Sequence, residues 1–313
     1  MKIGLIDVDA QSRGKVTFPN LPLMKLSAWH KAQGDEVQWY SPLLSGHMDR
    51  VYMSKAFGDE YTADYNYPID ADEIIRGGSG YAITIENGKE VHNRALDKPL
   101  PPEIDHIYPD YSLYGITDTA YGFLTKGCPR DCGYCPITQM QGRASRTVAD
   151  ISEFWRGQRN IVLLDPNITA SRDCVKHFET LANTQAYVDF SQGLDICLLD
   201  ERKIEALNKI RWKRIHFAWD RPGEDMRKQF AFAAERLKRF SRNTISCYVL
   251  TNYDSTHEQD LERVMFLRSI GVQPYVMIYR KHTAPAVTRK LQRYCSPTIF
   301  WNVPTFAEYQ HGR

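Results

Sequence analysis

Short apolar runs recur along the chain, and many are followed by a stretch in which apolar residues return every three or four positions. Lys2–Val8 predicts a buried strand, bounded by the polar, glycine-containing loop Asp9–Asn20. Leu21–Gln33 has helical spacing through Leu23, Leu26 and Trp29, with Met24 and Ala28 widening the face and Gly34 ending it. Glu36–Tyr40 and Arg50–Ala56 read as further strands. Asp72–Tyr81 reads as a strand running into the tight turn Arg76-Gly77-Gly78-Ser79-Gly80. Strands alternating with helices over short loops predict a doubly wound, Rossmann-like parallel sheet. Pro99, Pro101, Pro102 and Pro109 mark residues 94–112 as a stiff linker.

Beyond the linker one pattern repeats six times, a strand and then a helix. The strands are Tyr121–Thr125, Asn160–Leu164, Tyr187–Phe190, Arg214–Trp219, Thr244–Leu250 and Gln273–Tyr279. The helices fall near 147–157, 171–184, 200–210, 224–240, 256–270 and 284–294. The fourth sets Met226, Phe230, Ala233, Ala234 and Leu237 on one face. Six such units predict a partial (β/α)6 barrel of the TIM type, with strand C-termini gathered on the face where chemistry sits. The expected organisation of this α/β chain is a Rossmann-like domain over 1–105, a barrel over 115–283 and a C-terminal extension over 284–313.

Composition narrows the function classes. The chain has 313 residues, 42% apolar and 25% charged, with a net charge of +2. That balance argues against a protein held on nucleic acid by bulk charge, and the basic tract Lys209–Arg214 reads as a solvated helix end. No apolar run approaches the roughly 18 residues of a membrane span, and the start does not resemble a signal peptide. A cytoplasmic protein with no membrane partner and no clear nucleic-acid partner is expected.

Cysteine is where the sequence carries chemistry. Of seven, Cys128, Cys132 and Cys135 fall within eight consecutive residues, while Cys174, Cys197, Cys247 and Cys295 are scattered and read as core. In Gly127-Cys128-Pro129-Arg130-Asp131-Cys132-Gly133-Tyr134-Cys135-Pro136, three thiolates can take three irons of a [4Fe–4S] cube and leave the fourth without a protein ligand. The glycines let the backbone curl close, and the prolines stiffen it. A structural zinc site is the first alternative, but zinc takes four ligands, often as two separated pairs, and no fourth is local. A redox-active or unligated cysteine loop is the second.

Cys128, Cys132, Tyr134 and Cys135, placed after a first barrel strand, resemble the Cys-x3-Cys-x-aromatic-Cys signature of the radical S-adenosylmethionine (radical SAM) superfamily. The resemblance covers roughly residues 115–280. It implies a [4Fe–4S] cluster whose open iron takes S-adenosylmethionine. One electron then cleaves the cofactor to methionine and a 5′-deoxyadenosyl radical that abstracts a hydrogen atom. It also implies an electron donor such as flavodoxin or ferredoxin. Tyr134 is expected against adenine. Where the family often has Gly-Gly-Glu after strand two, this chain has Leu163-Leu164-Asp165-Pro166-Asn167, so Asp165 or Asn167 is expected to take the methionine ammonium, with Asn167 as a helix cap the alternative. Gln192 is expected at the ribose or substrate, Asp195 as substrate contact or loop cap, and Asp220 at the ribose. Asn252 and Tyr279 or Arg280 are weaker candidates. His216 reads as a buried, hydrogen-bonded residue, and no residue is assigned a catalytic role.

The first domain is similar in layout to the cobalamin-binding domains that precede some radical SAM barrels. Their Asp-x-His-x-x-Gly stretch corresponds to Asp9-Ala10-Gln11-Ser12-Arg13-Gly14, with Gly77-Gly78 further on. Gln11 stands where the cobalt-ligating histidine would be, and an amide is a poor cobalt ligand. Cobalamin without a lower protein ligand stays open, but a cofactor-free cap is the preferred expectation. The implied function is a radical SAM enzyme of unknown substrate, with a cobalamin-dependent methyltransferase or a methylthiotransferase-like enzyme as alternatives. The latter usually brings three more cysteines in its first domain, and residues 1–127 contain none.

Overall fold

The computed structural model describes residues 1–16, 18–86 and 89–310, the side chain of Lys89 excepted. The chain divides into two compact units: residues 1–144 with 148–158, and residues 145–147 with everything from Arg159 onward. The division lies beyond the proline-rich stretch, so the cysteine loop belongs to the first unit.

In the first unit, β1 (Lys2–Asp7) is buried at every position after its first. The residues read as a loop after it form α1 (Val8–Arg13) instead. The Asp7 carboxylate caps this helix by accepting from the Ala10 N–H, and Gly14 ends it in the left-handed region at φ 65°. Asn20 caps α2 (Leu21–Ala32) by accepting from the Leu23 N–H. With β2 (Glu36–Trp39), β3 (Met48–Ser54) and β4 (Ala71–Gly77), β1 forms a parallel sheet in the order β2-β1-β3-β4. Ile3 and Leu5 pack with Leu23 and Leu26 of α2. Ile6 and Val8 pack with Met48, Val51 and Met53, covered by Tyr40, Tyr65 and Ile69 from connecting loops. The β2–β3 and β3–β4 connections contain no helix, so the sheet is parallel as expected but not doubly wound.

A short helix α3 (Ser79–Ala82) leads into the antiparallel hairpin of β5 (Ile83–Glu86) and β6 (Lys89–His92). The proline-rich stretch is docked rather than free. It contains α4 (Pro102–Asp105), and Lys25 Nζ donates to Asp105 Oδ1 at 2.8 Å. Asp110 accepts from Ser27 and Lys31 at 2.6 Å each. The stiffness that proline gives is used to lay the chain against α2. Next come β7 (Thr119–Gly122), β8 (Thr125–Lys126) and α5 (Ile137–Gln141). The helix expected near 147–157 is only a 3-10 turn, Ile151–Glu153, closed by an Asp150/Glu153 capping box.

The second unit holds β9 (Arg146–Thr147), β10 (Asn160–Leu163), α6 (Cys174–Asn183), β11 (Tyr187–Phe190), α7 (Glu201–Lys209), β12 (Arg211–Trp212), β13 (Ile215–Ala218), α8 (Arg227–Arg236), β14 (Ile245–Thr251), α9 (His257–Ser269), β15 (Gln273–Ile278), α10 (Ala286–Tyr294) and α11 (Pro297–Asn302). β11 pairs in parallel with β10 and β12, and β14 with β13 and β15. A parallel bridge between Leu194 and Phe217 joins the two sets. Alternate strand residues face the helices: Phe190 meets Phe178 of α6 at 5.6 Å between ring centres, and Phe217 meets Phe230 of α8 at 5.9 Å. On α8, Phe230 and Ala233 are buried, as are Met226 and Leu237 at its two caps, but Ala234 is exposed and not part of that face. The tract Lys209–Arg214 is not a helix end throughout; it includes β12, whose Trp212 is buried.

Arg263 of α9, 3% exposed, holds two strand ends at once. It donates to the Trp219 and Leu250 carbonyls and to Asp260. Arg263→Met would leave two carbonyls and a buried carboxyl without their donor, a loss of about 3 kcal/mol. Urea unfolding of the full chain checks this; a loss under about 1 kcal/mol contradicts it.

Candidate functional site

The cysteine loop opens at Gly127, whose φ of 93° lies in the left-handed region and where a Cβ would fall 2.2 Å from the Ala144 carbonyl oxygen. Only glycine passes this point without displacing backbone. The Gly127 N–H donates to Gln141 Oε1 at 3.0 Å and the Cys128 N–H to the Gly142 carbonyl at 3.1 Å, tying the start of the loop to the end of α5. A turn closed by the Cys135 N–H on the Cys132 carbonyl (3.0 Å) brings the last two cysteines together. All three thiols are half-buried, as is Tyr134. Burial pushes the Cys135 thiol up to about 11, and repulsion from Cys132 and Cys128 adds to it. Among the described residues no three His, Cys, Asp or Glu side chains converge to hold a single metal ion. A four-iron cube takes its three thiolates at separate corners, and the donor set of this loop fits that group in type and number.

In the second unit the residues singled out from the sequence follow the C-terminal ends of their strands. Asp165 and Asn167, beyond β10, are both buried. Asn167 stands at the cap position of a 3-10 turn but makes no cap bond. Its Oδ1 accepts from Thr169 Oγ1 at 2.7 Å and its Nδ2 donates to Asp195 Oδ2 at 3.4 Å. Asp195 is the cap, accepting from the Cys197 N–H at 3.1 Å. These bonds knit the loop after β10 to the loop after β11. Gln192 is exposed and touches Ser191 Oγ at 3.4 Å. Asp220 Oδ1 accepts from the Leu250 N–H at 3.2 Å, joining the end of β13 to β14. Asn252 adopts the left-handed region at φ 62°, with Nδ2 donating to the Tyr279 carbonyl at 2.7 Å. Arg280 is also left-handed, at φ 46°. Asn167, Asp195, Asp220 and Asn252 therefore each hold the framework as well as facing the strand ends.

His216 is half-buried and hydrogen-bonded, as read from the sequence, with Nδ1 2.5 Å from Ser246 Oγ. Asp189 was passed over. Its signal is period-2 alternation: Val188 and Phe190 are buried, so the residue between them faces away. Cys174, Cys247 and Cys295 are buried, and burial raises the Cys174 thiol to about 12 and the other two as well. Cys197 departs from the core reading: it is half-buried, with Sγ 3.7 Å from Glu224 Oε1.

The C-terminal edge of the first sheet is occupied by the chain itself. Asp9 accepts from the Ala56 N–H and Thr62 Oγ1 at 2.6 and 2.7 Å, and Ser12 accepts from the Ala63 N–H. Gly78 and Gly80 are needed for the chain's own contacts, since a Cβ there would lie 2.4 Å from the Lys55 carbonyl and 2.3 Å from that of Phe57. Gln11 is exposed on α1. These groups are partnered within the chain, so by themselves they do not mark a cofactor site.

No protein-family model matches the chain, and no curated protein matches it. Among solved structures it is similar to a radical S-adenosylmethionine methyltransferase, TsrM, from Kitasatospora setae, whose structure holds cobalamin and a [4Fe–4S] cluster. The TM-score is 0.56 at 10% identity, covering 88% of this chain and 74% of that one. No helix among the described residues is long and apolar enough to cross a membrane. Because the similar protein carries cobalamin, the preference for a cofactor-free first domain finds no support in the comparison. The likeness is one of fold, and that fold, mixed α/β with parallel sheets, is one a radical SAM enzyme uses.

Proposed function

We propose that the chain is a radical SAM enzyme acting on an as yet unidentified substrate. The observation that carries the reading is the cysteine loop: three thiols in one glycine-anchored turn, in a chain whose fold is similar to that of a radical SAM methyltransferase. In this reading Cys128, Cys132 and Cys135 ligate three irons of a [4Fe–4S] cluster. When bound and reduced, the cluster supplies the single electron that cleaves S-adenosylmethionine to methionine and a 5′-deoxyadenosyl radical. The chain's own residues bind and orient. Asp165 or Asn167 accepts a hydrogen bond from the ammonium group, Asp220 from the ribose, and Gln192 reaches ribose or substrate. Tyr134 lies against adenine. Asn252 keeps only its Oδ1 for a ligand, because its amide nitrogen donates to both the Tyr279 carbonyl and Thr283 Oγ1.

Anaerobic reconstitution of the full-length protein with iron and sulfide, then dithionite and S-adenosylmethionine, tests this. It is expected to retain one cluster per chain and to release 5′-deoxyadenosine. Replacing all three cysteines by alanine abolishes both. Gly127→Ala keeps every thiol and still lowers the iron retained, because the loop cannot close against Ala144. Iron-free protein, or a reduced cluster that yields no 5′-deoxyadenosine, refutes the reading.

The fold likeness to a cobalamin-bound enzyme favours a second reading, a cobalamin-dependent methyltransferase. It expects hydroxocobalamin to co-elute with the full chain at near one per protein, and Gln11→Ala to retain as much as the unaltered protein. A protein that elutes colourless removes this reading.

A further inference from the structure

The strands of the second unit have two faces of different chemistry. One set of alternate residues packs on α6, α8 and α9. The opposite set is fixed by register: His216 pairs with Ser246, and Tyr248 with Tyr275, with Asp189 out of phase with Val188 and Phe190. A filled barrel places branched aliphatic side chains there. This chain places Asp189, His216, Ser246, Tyr248, Tyr275 and Met277 there; Ser246 is buried beside Leu250 and Gln273 of the same set, and the face is open at Asp189, Tyr275 and Met277. The Asp189 side chain is 53% exposed, Tyr275 60% and Met277 45%.

The groups are held in order. Tyr248 stacks on the His216 ring, 5.2 Å between centres and 1° from parallel, and meets Tyr275 edge-on at 5.6 Å. The Tyr248 hydroxyl donates to the Ser191 carbonyl at 3.1 Å, fixing that ring at its far end. Ser246, buried, bonds His216 Nδ1 at 2.5 Å, which leaves Nε2 directed to the Asp189 side. That Nε2 lies 4.0 Å from Asp189 Oδ1, beyond hydrogen-bond reach. Burial raises the Asp189 carboxyl and lowers the His216 imidazole, although half the Asp189 side chain is reachable by solvent. Asp189, the His216–Tyr248 stack and Tyr275 thus lie side by side as one polar and aromatic wall on that face.

We propose that this wall is a recognition subsite for an amine: Asp189 takes a cationic or N–H-donating nitrogen, and the His216–Tyr248 stack, extended by Tyr275, receives the apolar body beside it. An ionised carboxylate is acceptor-only, so it selects donors. Tyrosine faces attract cations and pack apolar rings. The inference deepens the radical SAM reading by naming the chemistry of the substrate.

Its test does not depend on the cluster. Benzylamine and benzoate have similar rings and opposite charge, and their binding to full-length protein can be followed by ligand-observed NMR. Benzylamine is expected to bind in the millimolar range and benzoate not at all. Asp189→Asn is expected to weaken benzylamine by at least about tenfold, the loss of one charge-assisted hydrogen bond, while leaving the iron content of the reconstituted protein unchanged. Equal binding of the two probes, no benzylamine binding at roughly 10 mM, where a ligand of this size should register, or an Asp189→Asn variant that binds as before overturns the proposal. A failed radical assay with intact benzylamine selectivity would count against the enzyme reading alone.

Discussion

Parallel pairing fixes direction as well as neighbours. When β13, β14 and β15 run side by side in one register, the residues beyond their last ladder bonds must emerge together at one edge. Asp220, Asn252 and Arg280 have no sequence proximity to one another; they share that edge only because the three strands point the same way. The chain then makes the edge rigid with its own polar groups. Asp220 accepts from the Leu250 N–H, Asn252 donates to the Tyr279 carbonyl, and Arg263 reaches from α9 to two carbonyls. A residue that holds its neighbour's backbone cannot drift, and a site assembled from such residues is preorganised for whatever it binds.

The same constraint explains which parts of the molecule could be read from sequence. Strands such as Ile215–Ala218, which alternates between buried and half-buried positions, and Ile245–Thr251, buried at all but Tyr248, declare themselves as short apolar runs, and their boundaries fall within one or two residues of the expectation. The cysteine loop declares itself because its spacing is local. What was misread depended on contacts distant in sequence or on caps. Val8–Arg13 has no helical apolar stripe and forms a helix because Asp7 and Gly14 close its two ends. Residues 94–112 look like a linker until Asp105 and Asp110 find Lys25, Ser27 and Lys31 on α2. Pattern reading sees periodicity within a window; it does not see a carboxylate meeting a lysine eighty positions away.

Asn167 shows how one residue can be both a correct and an incorrect expectation. Its position at the end of β10 was legible, and so was its place before a helical turn. Its partners were not. The side chain leaves the backbone N–H groups of that turn alone and pairs with the Thr169 hydroxyl two residues on and with Asp195, the carboxylate that the loop after β11 brings within reach. Local propensity offered a cap, and a tertiary pair displaced it.

The two faces of the second unit's strands divide the requirements of folding and recognition. Burial of Phe190, Phe217, Cys247 and Val249 against helices stabilises the unit on one side. That frees the other side from the need to be apolar, because a carboxylate or imidazole on an open face keeps access to water and avoids the full penalty of an unpaired buried group. A sheet buried on both faces could not accept Asp189 at mid-strand without a partner. Asp189 meets that condition: its side chain is half exposed, while Val188 and Phe190 on either side of it are buried toward the helices.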